Sequence, residues 1–342
     1  MPRRNKNDIF NFLSKCTFRK CWNALKVLGS YQLSKAIGRP FMMGLPLSIS
    51  VEPTTACNLG CPECPSGLKS FTRPTGIIKM DFFRQTIDAM HKELFYLSFY
   101  FQGEPFLHKG FLDMVRYASS KNIYTATSTN AHFLNDENAR KTIESGLDRL
   151  IISLDGTTQE TYEQYRINGH MEKVLEGARN IIRWRKALNS KTPMVVFQFL
   201  VVRPNEHQVE EVRQLTKEMG LDDVWFKTAQ IYDYQNDPNQ LIPSTDQFSR
   251  YRKDANGQTV PKNKMPNHCW KMWHSNVITW DGKVVPCCFD KDARHIIGDM
   301  GENGMKEIWE SKNYNEFRAK LMQSRKNIDI CSNCSEGLKV WS

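Results

Sequence analysis

Cys57-Asn58-Leu59-Gly60-Cys61-Pro62-Glu63-Cys64 places three thiols within eight residues, shortly after the apolar run 47–51. A closed structural zinc site takes four protein ligands, usually as two separated pairs, so three thiols are too few for it. A four-iron cluster held by three thiolates keeps one iron open for an outside ligand. The alternative is three unrelated buried cysteines. We therefore interpret this segment as an iron–sulfur cluster loop at the end of a strand.

The composition describes a globular chain. Its 342 residues can form one large domain and a smaller one. The mean hydropathy is −0.54, and no stretch approaches the roughly 18 apolar residues of a membrane-spanning helix. Ten cysteines in a chain of this length, with no secretory signal, indicate metal ligands in a reducing cytoplasm rather than a disulfide framework.

Short apolar runs alternate with helical patterns from residue 47 onward, which is typical of a parallel sheet with crossover helices. The predicted strands are 47–51, 96–101, 124–129, 150–154, 195–202 and 224–229. The predicted helices between them are 82–94, 111–120, 135–145, 171–188 and 207–219. Six such units are too few for a closed eight-stranded barrel. The sequence predicts an α/β fold, a partial (β/α)6 barrel with a small cysteine-rich C-terminal domain.

The spacing C-x3-C-x2-C just past a strand resembles the cluster loop of the radical S-adenosylmethionine (radical SAM) superfamily, whose core is a six-unit barrel. The resemblance covers about residues 47–231. It implies that Cys57, Cys61 and Cys64 hold a 4Fe-4S cluster whose open iron is chelated by S-adenosylmethionine (SAM). It also implies one-electron cleavage of SAM to a 5′-deoxyadenosyl radical, with a reductant such as flavodoxin or ferredoxin as a partner.

Family motifs follow at strand ends, where parallel barrels keep their working groups. The turn Gln-Gly-Glu-Pro at 102–105 is similar to the family's Gly-Gly-Glu-Pro, which implies that Gly103 and Glu104 bind the methionyl amine of SAM. Ser153 resembles the serine that bonds the SAM ribose. Arg166 stands where related enzymes bind the SAM carboxylate, a role that suits a bidentate guanidinium.

Two positions depart from the family pattern. Gln102 replaces the first glycine of the turn, and Glu63 stands where an aromatic or apolar residue usually contacts adenine. The second departure leaves the adenine contact unassigned. Ser128 and Asn130, at the end of the third strand, are further candidates for lining the SAM cavity.

A second group of cysteines follows a polar stretch at 233–268 that is typical of a linker. The turn Trp-Asp-Gly-Lys at 280–283, between apolar runs, predicts a hairpin within this group. By spacing alone, two cysteines and a C-x2-C pair suit a zinc ribbon as well as a cluster.

This tail resembles the SPASM extension of radical SAM enzymes, in a form with the elements for one auxiliary cluster. The resemblance implies a second 4Fe-4S cluster held by Cys269, Cys287, Cys331 and Cys334. Cys288 is left over and is the alternative to Cys287 as a ligand.

The basic charge is concentrated at the N-terminus. Residues 1–40 carry nine Lys or Arg against the single acid Asp8, which is +8 of the chain's net +10. Apolar residues recur there near the helical period, which predicts basic amphipathic helices. Two interpretations stay open: a helix packed on the barrel with a solvated basic side, or peripheral contact with an anionic membrane. The nearly neutral remainder, without a recognisable binding motif, argues against a nucleic-acid partner.

The predicted organisation has four parts. These are a basic N-terminal segment (1–44), a radical SAM core (45–232), a linker (233–268) and a SPASM-like domain (269–342). The expected enzyme is a radical SAM oxidoreductase that abstracts hydrogen from a small or membrane-associated substrate and passes the remaining electron to the auxiliary cluster. Peptide or protein maturation is the alternative. A non-catalytic iron–sulfur or zinc binding module is the third hypothesis.

Overall fold

A nine-stranded sheet forms the frame of the protein, of which the computed structural model describes residues 5–336. The strands are β1 (Ser48–Val51), β2 (Tyr96–Ser98), β3 (Tyr124–Thr129), β4 (Arg149–Ser153), β5 (Met194–Val201), β6 (Asp223–Thr228), β7 (Tyr251–Lys253), β8 (Thr259–Pro261), β9 (Ser275–Ile278), β10 (Lys283–Val285) and β11 (Gly298–Asp299). The order in the large sheet is β11-β10-β9-β1-β2-β3-β4-β5-β6, and β7 pairs separately with β8.

Helices alternate with these strands. They are α1 (Lys6–Ser14), α2 (Phe18–Ile37), α3 (Pro65–Leu68), α4 (Met80–Met90), α5 (Phe111–Ser120), α6 (Asp136–Glu144), α7 (Gln159–Tyr165), α8 (Met171–Ala187), α9 (Val209–Glu218), α10 (Lys271–His274), α11 (Met305–Glu310), α12 (Lys312–Ser324) and α13 (Asp329–Ser332). Short 3-10 helices lie at Pro105–Leu107, Arg203–Gln208 and Arg325–Asn327.

Strands β1 to β6 are all parallel, which confirms the predicted α/β fold with a partial barrel. Five of the six lie within one residue of their predicted bounds. Strand β2 is the exception and ends at Ser98 rather than at 101. It is shorter because the chain leaves the sheet there to form the turn that carries Glu104, whose backbone N–H donates to Ala56 O at 2.8 Å.

The core of the barrel is formed by one apolar stripe of each helix and by the buried residues of the strands. Helix α5 buries Phe111, Met114, Val115 and Ala118, one stripe of a helix, while β3 is buried along its whole length because it is covered on both faces. Phe99, on the way out of β2, is also fully buried. Each such aromatic or aliphatic side chain contributes about 1.5 to 3 kcal/mol through its removal from water.

The C-terminal cysteine-rich region extends the barrel's own sheet. Strand β9 pairs in parallel with β1, with Ser48 opposite Ser275, and the predicted hairpin joins β9 to the antiparallel β10. Gly282 in its turn has φ +89°, a conformation that a residue with a Cβ rarely adopts. Both cysteine groups are therefore attached to one continuous sheet.

The N-terminal helices pack at the end of the barrel where the strands begin. The Asp8 carboxylate pairs with Arg149, the first residue of β4, and the Lys20 ammonium donates to Asn122 O just before β3. Asn23 Nδ2 donates to Leu45 O at 3.0 Å, just before β1. The segment thus covers the N-terminal face of the barrel, opposite the strand ends that carry the predicted site.

The stretch 233–268, predicted as a linker, contains the β7–β8 hairpin. Its turn is closed by Asp254, whose Oδ1 accepts from the backbone N–H groups of Asn256 and Gln258, each at 2.9 Å. The two strands were not predicted because each has only three residues and the surrounding sequence is rich in polar turn residues. Across residues 5–336, no helix is both long and apolar enough to cross a membrane.

Candidate iron–sulfur and SAM site

The loop that carries the first three cysteines, residues 53–64, begins at the carboxyl end of β1. It is fixed at its base by a buried ion pair, because both oxygens of Glu52 accept from Arg73, at 2.6 and 2.9 Å. Farther along, Gly60 N–H donates to Ile167 O at 2.9 Å. These contacts hold the loop across the open end of the barrel.

Each thiol of this loop meets a polar side chain from another segment of the barrel. The pairs are Cys57 with Asn130 Nδ2 at 3.9 Å, Cys61 with Arg166 Nη1 at 3.7 Å, and Cys64 with Gln102 Oε1 at 3.7 Å. The three partners follow β2, β3 and α7. The barrel therefore brings the cysteine loop and three of the sequence motifs to one place.

Glu104 lies deep in this place and is only 2% exposed. Its Oε1 accepts from Thr129 Oγ1 at 2.7 Å and from Phe106 N–H at 3.2 Å, and its Oε2 accepts from Asn130 N–H at 2.8 Å. Burial raises the pKa of Glu104, and these donors oppose that shift. Within residues 5–336 the carboxylate forms no ion pair, so a cationic ligand group would complement it.

Gly103 is required by the chain's own packing. It has φ +75°, and a Cβ at this position would lie 2.2 Å from Thr54 O and 2.8 Å from Ala56 O, both in the cysteine loop. The family motif predicts that this glycine admits a ligand. The structure shows that it admits the neighbouring backbone.

We expect Gly103→Ala to separate the turn from the cysteine loop, because backbone oxygens cannot yield as a flexible side chain can. Left-handed strain of about 1 kcal/mol or more adds to that clash. The expected result is a lower unfolding temperature together with loss of iron from the first cluster, measured by thermal unfolding and iron analysis. Gly220→Ala is the matched control, since Gly220 also has a positive φ but a Cβ there would meet nothing within 4 Å. Equal losses in both variants would contradict this account.

Arg166 is held by the carboxylate of Asp155, a residue to which the sequence motifs assign no role. The fully buried Asp155 accepts from Arg166 Nε through Oδ2, and from Leu200 N–H through Oδ1 at 2.7 Å. This leaves the outer guanidinium nitrogens directed toward Cys61. Ser153, the last residue of β4, lies two residues before Asp155 and is 6% exposed.

Glu63, the position at which this chain departs from the family, has a structural partner. Its Oε2 accepts from Tyr232 N–H at 2.8 Å, just after β6. Lys291, from the C-terminal region, donates to Glu63 O at 3.1 Å and lies 4.6 Å from the centre of the Tyr232 ring. Glu63 thus ties the cysteine loop to two other segments and presents no apolar surface for a base.

The site contains three thiols and the buried carboxylate Glu104, all of which are negative when ionised. Their pKa shifts indicate whether a cluster and SAM would fit here. Burial raises the pKa of Cys57 to about 11, and the nearby Glu104 adds to the shift. Burial also raises the pKa of Cys61, opposed by Arg166. Three thiolates would thus be costly without added positive charge, which iron ions and a cationic ligand would supply. The donor set fits a thiolate-held cluster, and its loading would release protons.

The second group of cysteines comes together beside β9 and β10. Cys269, Cys331 and Cys334 are buried, and Cys287 is half-buried. Burial raises the pKa of Cys287, and the thiols of Cys288, Cys334 and Cys269 add to the shift. Burial, Cys269 and Cys334 likewise raise the pKa of Cys331 to about 12. Cys269 and Cys331 belong to one buried core against which Cys287 packs, and Cys334 N–H donates to Cys331 O at 3.0 Å, so the four cysteines lie in one region of the fold.

Cys287 and Cys288 point to different surroundings. Cys287 packs against the core that contains Cys269 and Cys331, whereas Cys288 packs against a separate small cluster with Phe101 and Val285. Lys271 Nζ lies 3.7 Å from the Cys288 sulfur. Cys288 thus packs against a different hydrophobic cluster from Cys287.

Arg325 lies fully buried beside the second group and was not identified from the sequence. Its Nη2 donates to Cys334 Sγ at 3.3 Å and to Glu336 O at 2.7 Å, and its Nε has no partner within residues 5–336. The thiols raise its pKa against the effect of burial. A buried cation here compensates the negative charge that a thiolate-held cluster would carry.

In the described part of the chain, no three His, Cys, Asp or Glu side chains are arranged to hold a single metal ion.

Two family models match this chain. The radical SAM superfamily model matches residues 51–216, and the SPASM model, described as an iron–sulfur cluster-binding domain, matches residues 269–335. The chain belongs to the radical SAM superfamily and carries a SPASM domain. Membership implies that the protein is an enzyme and that its cofactors are 4Fe-4S clusters and SAM.

Similar proteins span nearly the whole chain. The tungsten-containing aldehyde ferredoxin oxidoreductase cofactor-modifying protein of Pyrococcus furiosus is 24% identical over 312 residues, 83% of this chain and 86% of the relative. BtrN, solved with AdoMet and 2-DOIA, superposes with a TM-score of 0.52 at 18% identity, covering 86% of this chain and 95% of its own. The protein anSMEcpe, solved with AdoMet and a Cp18Cys peptide, has a TM-score of 0.59 at 19% identity, covering 84% and 88%. These two structures support the fold.

The sequence did not predict a role at the two cysteine sites for four residues: Gln102, Asp155, Lys291 and Arg325. Asp155 had a local signal, since it lies two residues past the end of β4 beside Ser153, and Gln102 had one as a departure from a glycine. Lys291 and Arg325 had none, because each reaches its partner only through the tertiary fold.

Proposed function

We propose that this radical SAM enzyme oxidises a small-molecule substrate, using its SPASM domain as an electron acceptor. The observation that supports this most is that Cys269, Cys287, Cys331 and Cys334 lie in one region of the fold, with the buried Arg325 donating to the Cys334 sulfur at 3.3 Å. Four protein thiolates would saturate a cluster and leave no iron open to substrate. Electron transfer is then the role that remains for it.

The first site would hold its cofactors with residues from the ends of β1, β2 and β4 and from the end of α7. Cys57, Cys61 and Cys64 are the proposed ligands of the SAM-binding 4Fe-4S cluster. Glu104 would receive the methionyl ammonium group of SAM, and Gly103 would keep the turn beside the cysteine loop.

Arg166, oriented by Asp155, would bind the SAM carboxylate, and Ser153 would approach the ribose. These roles come from the family's motifs, and they are supported by the burial of Glu104, Ser153 and Asp155 and by the contacts of Arg166 with Asp155 and Cys61.

The two cofactors together supply a 5′-deoxyadenosyl radical that can take hydrogen from an unactivated carbon. In the proposed reaction the substrate breaks one C–H bond and gives its hydrogen atom to the adenosyl carbon. It then gives one electron to the auxiliary cluster and one proton to a base, which makes a two-electron oxidation. An external reductant such as flavodoxin or ferredoxin would supply the electron that cleaves SAM.

The substrate class rests on the cysteine set and on the relatives. One auxiliary cluster is the form that the family's small-molecule dehydrogenases have, and BtrN was solved with the ligand 2-DOIA. The relative from Pyrococcus furiosus is named as a cofactor-modifying protein. Peptide modification stays the alternative, since anSMEcpe was solved with a peptide.

The adjacent cysteines Cys287 and Cys288 provide a matched test of the acceptor cluster. Each is replaced by serine in anaerobically reconstituted protein, and iron, zinc and SAM cleavage are measured. We expect about eight irons in the parent protein and in Cys288→Ser, and about four in Cys287→Ser. Because the first cysteine loop is separate, Cys287→Ser should still cleave SAM.

Other outcomes would contradict this proposal. Loss of four irons in Cys288→Ser alone would show that Cys288 is the ligand. One zinc with about four irons in the parent protein would remove the electron acceptor, and with it the oxidation. Absence of SAM cleavage in fully loaded protein would favour a non-catalytic binding module.

A further inference from the structure

Helix α2 has large apolar residues on both its inner and its outer face. The inner face packs Val27 and Tyr31 into the core of the protein, and it also buries the polar side chains of Lys20, Asn23, Ser30 and Ser34. Their hydrogen bonds attach the helix firmly. Trp273 Nε1, for example, donates to Ser34 Oγ at 3.2 Å.

The opposite face of α2 is apolar and open. We call it the outer stripe, defined by residues that recur every three or four positions: Phe18, Trp22, Leu25, Gly29, Leu33 and Ala36. Phe18 is 87% exposed, Leu25 60%, Trp22 53% and Leu33 41%. At 1.5 Å per residue, the 20-residue helix presents this stripe over about 30 Å.

Helix α1 continues the same apolar character. Phe10 is 69% exposed and Leu13 is 54% exposed. Scattered exposed apolar residues are ordinary, but a contiguous row of large ones marks an interaction surface. The sequence alone could not show this, because periodicity defines a stripe without saying which way it faces.

The charges around the outer stripe indicate the partner. Lys6, Lys26, Lys35 and Arg39 are exposed and form no ion pair within residues 5–336. The acid of this segment, Asp8, is already paired with Arg149. Two copies meeting stripe to stripe would bring these positive charges together, which disfavours a symmetric dimer through this face. Anionic lipid headgroups would complement them.

We propose that the outer stripe docks this protein on an anionic membrane surface, with Phe18, Trp22 and Leu25 entering the boundary between headgroups and acyl chains. Helices with Lys or Arg beside Trp, Phe and Leu bind in the plane of the interface in this way. The attachment is peripheral and reversible, because it buries one helix face only. It is independent of the oxidation proposed for the enzyme.

The docked orientation follows from the packing of α1 and α2. Their inward contacts lie at the N-terminal ends of the strands, at Asn122 and Arg149. The cysteine loop and the SAM site lie at the opposite ends. The lipid surface therefore meets the closed end of the barrel, and the mouth faces away from it. Docking attaches the enzyme to the membrane, while the substrate enters from the aqueous side.

The test uses the full-length protein and vesicles of phosphatidylcholine with and without phosphatidylglycerol. The stripe variant is Trp22→Gln with Leu25→Gln, and its control is Leu188→Gln with Ile296→Gln, two exposed apolar residues elsewhere. Glutamine is a good helix former, so α2 should stay intact. We expect the stripe variant to lose about tenfold or more of its partitioning onto anionic vesicles. The control should bind as the parent does, and all three proteins should unfold at the same temperature and cleave SAM equally.

Salt supplies an independent readout. Raising the ionic strength from about 0.1 M to about 1 M shortens the Debye length from about 10 Å to about 3 Å, so binding of the parent protein should weaken. Equal binding by the stripe variant and the parent, or no binding by the parent, would overturn the proposal. A dimer that the stripe variant abolishes would also overturn it and would assign the outer stripe to self-association.

Discussion

Replacing Cys57, Cys61 and Cys64 together by alanine is expected to halve the iron content, from about eight to about four atoms per chain, and to abolish SAM cleavage. The loop is held by contacts that do not involve its thiols, such as the Glu52–Arg73 ion pair. The barrel should therefore remain folded, with only the first cluster missing. The measurements are iron analysis, electron paramagnetic resonance of the remaining cluster and anaerobic turnover of SAM.

Cys16→Ala with Cys21→Ala is the control for this triple variant. Both thiols lie in the N-terminal segment, away from either cysteine group, so iron and activity should stay at the parent level. Retention of eight irons by the triple variant would show that the cluster loop has been misassigned. Loss of all iron would show that the second cluster depends on the first.

Replacing Arg166 by alanine is expected to weaken SAM binding about ten- to hundredfold while about eight irons are kept. The guanidinium touches Cys61 with Nη1 and is fixed through Nε by Asp155, so its removal takes away a charged hydrogen-bond donor of about 1.5 to 3 kcal/mol. Arg166→Lys should recover part of the affinity, since lysine keeps the charge but not the planar fork. Anaerobic equilibrium binding of SAM measures both variants.

Arg140→Ala is the matched control for Arg166, because Arg140 is an exposed arginine paired with Glu144 on the outside of α6. Such surface pairs contribute about 1 kcal/mol or less, so SAM binding and stability should hardly change. Unchanged SAM affinity in Arg166→Ala, with its iron intact, would remove this residue from the binding site. The family motif would then fail at this position.

Local patterns were sufficient for most elements of the barrel. Alternating apolar runs and helical periods located five of its six strands to within one residue, and α5 was predicted with its observed bounds. The turn glycine at 282 predicted the hairpin between β9 and β10. Such features depend on contacts between residues close in the chain, so they can be predicted from short segments of sequence.

The site was predicted as a set of motifs but not as a network. Asn130 reaches Cys57 across 73 residues, and Lys291 reaches Glu63 across 228. Asp155 became a positioning residue only when the chain brought Arg166 beside it. The sequence leaves the choice between Cys287 and Cys288 open, because the two cysteines are adjacent and their spacings to any distant cysteine differ by one position. The serine variants proposed above decide it.

The sequence by itself determined the fold family, the cysteine loop and the strand-end motifs, since spacing and periodicity are properties of short segments. Only the tertiary structure decided that β9 pairs with β1, so that both cysteine groups share one sheet. It also decided that α2 buries Val27 and Tyr31 and exposes Phe18, Trp22 and Leu25. The physical reason is common to both: a periodic pattern defines a face, but the partner of that face is chosen by contacts between residues far apart in the chain.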